Sequence, residues 1–249
     1  MKHRIRAGLI HLTLSAAIAL AVFVPIYFLW YPDVLFDKAG GRALFMLIVA
    51  VDVVVGPLIT FAIFVPGKRG LMFDLVVIAF LQAAALTYGV FVLFESRPAY
   101  IVFVKDRFEL LRANQMPATE LEKARGTAYE SLPVTGPKLV AARMPSDVKE
   151  QEFVVMAAFA GIDMQHFPKF YVPYESARAE VLARALPIEE LRKRNRDRTA
   201  EIAAELARLG RKEDEVRFVP MRTGKADLAV LIDAKSAEVL RIASLNPWS

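Results

Sequence analysis

The chain has no cysteine and only three histidines, and its first ninety-four residues carry very little charge. Without cysteine there is no disulfide, no thiolate-held zinc or iron–sulfur centre and no thiol nucleophile. The histidines, His3, His11 and His166, do not pair at a metal-binding spacing. No HExxH, GxSxG, P-loop or glycine-rich dinucleotide fingerprint is present. His166 beside Asp163 is the one place to look for a base or ligand, and a lone loop histidine next to Pro168 is more simply structural. Also missing is the dense Lys/Arg stripe with interleaved aromatics that nucleic acid requires. The sequence therefore offers no catalytic, cofactor-binding or metal-binding residues. It predicts neither a nucleic-acid partner nor a small-molecule substrate.

What the chain does have is unevenly placed. It is 55% hydrophobic and 24% charged, with a net charge of +5 and a mean hydropathy of +0.36. A charged fraction typical of soluble proteins fits that hydropathy only if apolar residues are concentrated in one region. Residues 1–94 hold 7 Lys and Arg against 4 Asp and Glu, while residues 95–249 hold 25 against 23.

Three runs account for the imbalance. Ala7 to Tyr31 has no charge, Leu44 to Val65 has Asp52 alone, and Leu75 to Phe94 has none. About 20 apolar residues cross a hydrocarbon core, so each run suffices. Tyr27, Trp30, Tyr31, Phe91 and Phe94 mark interfacial ends. The expected fold class is a three-helix transmembrane bundle followed by an α+β extramembrane domain. Residues 1–94 form the membrane part, with spans at about 9–30, 44–65 and 74–94, and residues 95–249 the second domain. The first run follows a basic leader, but it ends in bulky Trp30-Tyr31-Pro32 and reads as an uncleaved anchor, in contact with membrane lipid.

Basic residues set the orientation. Lys2, Arg4 and Arg6 precede the first run, and Lys68 and Arg69 sit in the turn Pro66–Gly70. Both segments are expected in the cytoplasm. Three crossings then put the C-terminal domain on the other side, in the periplasm of a bacterium, with the bundle in the inner membrane.

Within residues 95–249, Tyr100–Val104 and Arg107–Leu111 read as strands, and residues 115–136 as a short helix and a loop. A helix capped by Ser146 is expected to run to Gly161, its apolar stretch Phe153–Ile162 buried in the domain and too short to span a bilayer. Further helices are expected at Glu175–Ala185 and, uninterrupted, at Ile188–Leu209. The basic stretch Arg192–Arg198 is best read as solvated and paired with Glu201 and Glu205, and less simply as a face for an acidic partner. Val216–Met221, Leu228–Asp233 and Glu238–Ile242 read as strands, the last two joined by the turn Ala234–Ser236.

The polar groups inside the spans carry most of the functional information. Asp52 lies eight residues into the second run, about 12 Å deep. A carboxyl there costs roughly 2.5–3.5 kcal/mol, so it must face protein or water. Gly56 and Pro57 follow one turn later, and Pro57 is expected to leave the carbonyl of Val53 without a donor and to kink the helix. Gln82 reaches a similar depth on the third run. Two readings stand side by side. Asp52 and Gln82 could hydrogen-bond each other and glue the bundle, or Asp52 could offer a polar handle to another transmembrane helix.

Three groups of residues resemble the TfpX/TfpZ (FimB-like) family of type IV pilin accessory proteins. They are Trp30-Tyr31-Pro32; Asp52-x-x-x-Gly56-Pro57-Leu58 with Phe73-Asp74-Leu75, Leu81-Gln82-Ala83 and Tyr88-Gly89; and Arg97-Pro98 with Asn246-Pro247-Trp248. The turn Val65-Pro66-Gly67-Lys68 departs slightly from the Asn-Pro-x-Lys of the family. The resemblance implies an inner-membrane accessory protein, not an enzyme, that assists stability or assembly of a type IV pilin subunit. The expected partner is the major pilin, with Asp52, Gly56, Pro57 and Gln82 as candidate contacts for its transmembrane helix. The competing class is a membrane-anchored sensor or transporter-associated subunit with a periplasmic ligand-binding domain. A membrane peptidase would need a clustered nucleophile and base, and the sequence has none.

Overall fold

From Leu75 to Phe94 no side chain is charged. In the computed structural model, which describes residues 1–248, this run lies inside one helix, Leu71–Glu95. Three helices are long and apolar enough to cross a membrane: Lys2–Trp30, Gly41–Ile63 and Leu71–Glu95. Each starts a few residues before its apolar run, because helical hydrogen bonding continues into the charged flank. A short helix, Val34–Lys38, connects the first two. These helices make one compact unit, Met1–Arg97, and a second unit starts at Pro98.

The second unit is built on an eight-stranded mixed sheet. Its strands are β1 (Pro98–Val104), β2 (Arg107–Arg112), β3 (Lys138–Ala142), β4 (Tyr171–Pro173), β5 (Leu186–Pro187), β6 (Val216–Arg222), β7 (Asp227–Asp233) and β8 (Val239–Ala243). The order is β4-β3-β1-β2-β6-β7-β8, with β5 pairing β6. β1 and β2 form a hairpin whose tight turn holds Lys105 at φ 59°. β3 joins β1 in parallel, and β6 joins β2 in parallel. The antiparallel meander β6-β7-β8 completes the sheet. Every residue of β1 is buried, the pattern of a strand covered on both faces.

On one face Tyr100, Val102, Val140, Val154, Phe167 and Tyr171 share a core. Burial pushes the Tyr100 hydroxyl up to about 12, and Tyr171 well above its ordinary value. Both therefore stay neutral and donate, Tyr100 to the Ser131 carbonyl at 3.1 Å and Tyr171 to that of Gln165. A separate core joins Ile188, Leu191, Ile202 and Leu206 to Phe218, Ala229 and Leu231.

Four expectations for this domain are corrected. The helix expected from Ser146 is Val148–Phe159, and its cap is Asp147, whose carboxylate accepts from the Glu150 N–H at 3.0 Å. It is not buried: of its residues Val154 alone is buried, while Met156 is 66% and Phe159 84% exposed. The segment Glu175–Ala185 begins as a 3₁₀ turn, Tyr174–Ala177, before the helix Arg178–Arg184. The helix expected from Ile188 to Leu209 breaks into Ile188–Arg194 and Thr199–Leu209. Asn195 causes the break by turning its side chain inward. Its amide donates to the carbonyls of Leu191 (2.8 Å) and Asn246 (2.9 Å), and its oxygen accepts from the Asn246 N–H (2.9 Å). The basic run is paired, though with somewhat different partners. Arg198 holds Glu201 and Arg192 holds Glu213, while Glu205 takes Arg208 and Arg241.

Candidate partner-binding site

Proline has no N–H, so the helix containing Pro57 must leave one carbonyl without its usual donor. The local winding decides which one. Ala50–Val55 is π-helical, and the Gly56 N–H reaches back five residues to the carbonyl of Val51. In this register the donor missing at Pro57 belongs to the carbonyl of Asp52, not to that of Val53 as the α-helical register predicts. Gln82 of the third helix supplies the missing bond, its Nε2 donating to the Asp52 carbonyl at 3.2 Å.

Gly56 makes that bond possible. A Cβ built on Gly56 would fall on the side-chain amide of Gln82. A glycine one turn after Asp52 is therefore required for the third helix to bring Gln82 in. Asp52, Gly56, Pro57 and Gln82 thus meet at one point, where the Gln82 amide, with two N–H groups, serves the Asp52 carbonyl and also reaches the Asp52 carboxyl.

The Asp52 carboxyl lies beside that amide and faces the His11 ring. The residue is 7% exposed, and among the described residues neither carboxylate oxygen has a partner that meets hydrogen-bond geometry. It borders a cavity of about 240 Å³ lined by His11, Ser15, Ile18, Ala79, Gln82 and Leu86, among others. On its other side lies an apolar cavity of about 290 Å³ walled by Leu47, Ile48, Tyr88 and Gly89.

The surrounding helices are tied at both ends. At one end Arg4 donates to the Phe64 carbonyl at 2.9 Å, and His11 Nδ1 lies 2.6 Å from the Thr60 hydroxyl, joining the first helix to the second. Gly8 lets the two come close, since a Cβ there would lie 3.3 Å from that of Phe61. At the other end the Tyr31 hydroxyl donates to the Leu93 carbonyl at 3.0 Å and lies 3.0 Å from Ser96 Oγ. The Trp30 and Phe94 rings pack at 5.1 Å. Trp30-Tyr31 therefore fastens the first helix to the third, a role that sequence reasoning missed. Its signal was the aromatic pair before a proline, read there only as an interfacial end.

Between these ties the first and third helices flank a groove. A cavity of about 550 Å³, lined by His3, Arg6, His11, Thr60, Phe64 and Leu75 among others, shares His11, Leu14 and Ala79 with the cavity beside Asp52. The two therefore lie side by side along the groove, one bordered by Arg6 and the other by Asp52. His166 in the sheet domain turns its Nδ1 to the carbonyl of Asp163 three residues back, at 3.2 Å, which is local turn chemistry. Among the described residues no group of three His, Asp or Glu could hold a metal ion.

The profile of a family described as "Fimbrial assembly protein FimB" matches residues 1–33. The fimbrial assembly protein of serogroup E1 from Dichelobacter nodosus is 30% identical over 228 residues, covering 90% of this chain and 88% of the relative. The serogroup I protein of the same organism is 29% identical over the same extent. The protein of serogroups C1 and C2 is 35% identical over 117 residues, 46% of this chain and 89% of that relative. No solved structure matches the chain.

Proposed function

Because the chain belongs to the FimB-like family of type IV fimbrial assembly proteins, we propose that it is a bacterial inner-membrane protein that holds a type IV pilin subunit before its incorporation. The three long helices cross the bilayer in this reading. Lys2, Arg4, Arg6, Lys68 and Arg69 stay in the cytoplasm, and the sheet domain stands in the periplasm. The role is assembly and not catalysis. A pilin awaiting assembly has an apolar helix in the membrane and a globular head outside it, and this protein offers one unit for each.

The observation that carries the reading is the Asp52 carboxyl, buried beside a groove and held there only by the loose approach of Gln82 and His11. A second contact is the outer face of Val148–Phe159. Val148, Val155, Met156 and Phe159 are exposed together there, an apolar surface suited to the pilin head.

Co-purification from native membranes tests this. Asp52→Leu is expected to reduce recovered pilin about tenfold, the equivalent of one charge-assisted hydrogen bond, while the protein accumulates normally. Unchanged recovery with normal piliation removes Asp52 from the mechanism. Loss of the protein itself assigns Asp52 to the stability of the bundle.

A further inference from the structure

Only Ser96 and Arg97 separate the third long helix from β1. Chain reach alone therefore keeps Pro98 within about 10 Å of the helix end. Strand directions bring further segments to the same end of the sheet. β2 returns to it, with Arg112 opposite Pro98. β3 runs parallel to β1 and starts there, with Lys138 opposite Tyr100. β6 runs parallel to β2 and finishes there, so the turn into β7 joins the same row. The Arg112 guanidinium donates to the Thr223 carbonyl of that turn at 3.1 Å.

The row is basic. Arg222 and Lys225 are exposed on either side of Thr223-Gly224, Lys138 is exposed and Arg112 is half-buried. Asp227 is the acid that faces Arg222 in the register. Among the described residues no carboxylate pairs with these four cations, whereas Arg107, Arg192, Arg198 and Arg211 each hold one. The opposite end of the sheet has a different balance. Glu213-Asp214-Glu215 precede β6, and the turns there carry Asp106, Asp233 and Glu238 beside Lys105 and Lys235.

An aromatic ring joins the basic row. The Arg222 guanidinium lies 5.0 Å from the centre of the half-buried Trp248 ring. Tryptophan favours the level of lipid head groups, and Lys and Arg are drawn to anionic ones. An acidic protein would also suit a basic surface, but the chain itself keeps a bilayer within reach of this one.

We propose that the end of the sheet bearing Arg112, Lys138, Arg222, Lys225 and Trp248 rests on the anionic phospholipid head groups of the bilayer from which the third helix emerges. The inference rests on the reading that this helix crosses a bilayer, and the test separates the two. The protein has two tryptophans, Trp30 and Trp248, so Trp30→Phe leaves Trp248 as the one indole. Full-length protein is placed in nanodiscs of phosphatidylcholine alone or mixed equally with phosphatidylglycerol. A nitroxide on some of the head groups quenches a nearby indole.

Quenching of Trp248 is expected to be several-fold stronger with phosphatidylglycerol and to fall as salt screens the charges. A cation at an anionic surface shifts the bound-to-free ratio about fivefold, so Lys138→Gln with Lys225→Gln should lower that ratio about twenty-five-fold. Lys105→Gln with Lys235→Gln, at the opposite end, should leave it unchanged. Equal quenching in both lipids, or quenching indifferent to Lys138 and Lys225, overturns the proposal. No quenching in nanodiscs, with Trp248 shielded from aqueous iodide in native membranes, overturns it in favour of an acidic protein. Release of the protein from membranes by alkaline carbonate is a separate result and defeats the underlying reading of the third helix. Should Trp30→Phe not accumulate, the Trp248 signal is read as the difference between the parent and Trp248→Phe.

Discussion

Asn195 in the sheet domain and Asp52 in the helical unit are both buried polar residues, 2% and 7% exposed. Asn195 is saturated. Its amide and its oxygen make three hydrogen bonds that join a helix end to Asn246. Asp52 makes none of full geometry through its carboxyl, which Gln82 and His11 approach loosely, and its carbonyl takes the Gln82 bond. One residue stabilises the fold with its side chain. The other ties the helices chiefly through its main chain and only loosely through its side chain.

That contrast can be tested by breaking each half. The largest effect is expected at Gly56. A side chain there collides with Gln82 and strips the Asp52 carbonyl of its donor, so Gly56→Leu should cost about 3 kcal/mol or more. Thermal unfolding of the full-length protein in bicelles reads it, and an unshifted transition would mean that the third helix does not depend on this close approach.

Next comes Asn195→Ala, which removes the partner of the Asn246 N–H and of the Leu191 and Asn246 carbonyls. It should cost about 2 kcal/mol in the same measurement. A loss below ~0.5 kcal/mol would show that water replaces those bonds.

Asp233 gives a smaller effect with a pH signature. Its carboxylate accepts from the N–H groups of Ser236 and Lys235 at 2.8 and 2.9 Å, with Arg211 at 3.7 Å. Chiefly the Ser236 N–H, then that of Lys235, hold it below its ordinary value of 3.8. The folded state therefore prefers the ionised form. Its stabilisation is present above the ordinary value and is lost as pH falls through the lowered one. Asp233→Asn should melt earlier by about 1 kcal/mol near pH 6 and converge with the parent in acid. A gap that stays constant with pH would refute the ionic origin.

The smallest effect is the sharpest. Asp52→Leu should change the stability of the bundle by less than ~0.5 kcal/mol or raise it, because a buried carboxyl with only loose hydrogen bonding gives way to an apolar side chain. A loss comparable to that of Asn195→Ala would erase the contrast between the two residues.

Much of the fold could be read from the sequence where the signal is local. The three apolar runs predicted the long helices, and β-branched and aromatic runs predicted β1, β2, β6, β7 and β8. Asp52, Gly56, Pro57 and Gln82 were singled out from depth and spacing, and they do meet. What escaped depends on partners distant in the chain or on hydrogen-bond register. The break at Asn195 is made by Asn246, fifty-one residues on. The π-helical winding before Gly56 leaves no trace in hydrophobic periodicity, so the orphaned carbonyl was placed one residue late. The apolar run Phe153–Ile162 looked like core because apolar composition cannot distinguish a buried helix from a surface waiting to be covered.

The contact between Gln82 and the second helix ends on a peptide oxygen, which every amino acid carries. Residue 52 can therefore be exchanged without dismantling the interlock around it. Gly56 and Gln82 are coupled more tightly, since a side chain on the first would displace the amide of the second. The interlock of the helices thus runs through the main chain, and its tolerance of substitution is set by the glycine and not by the acid.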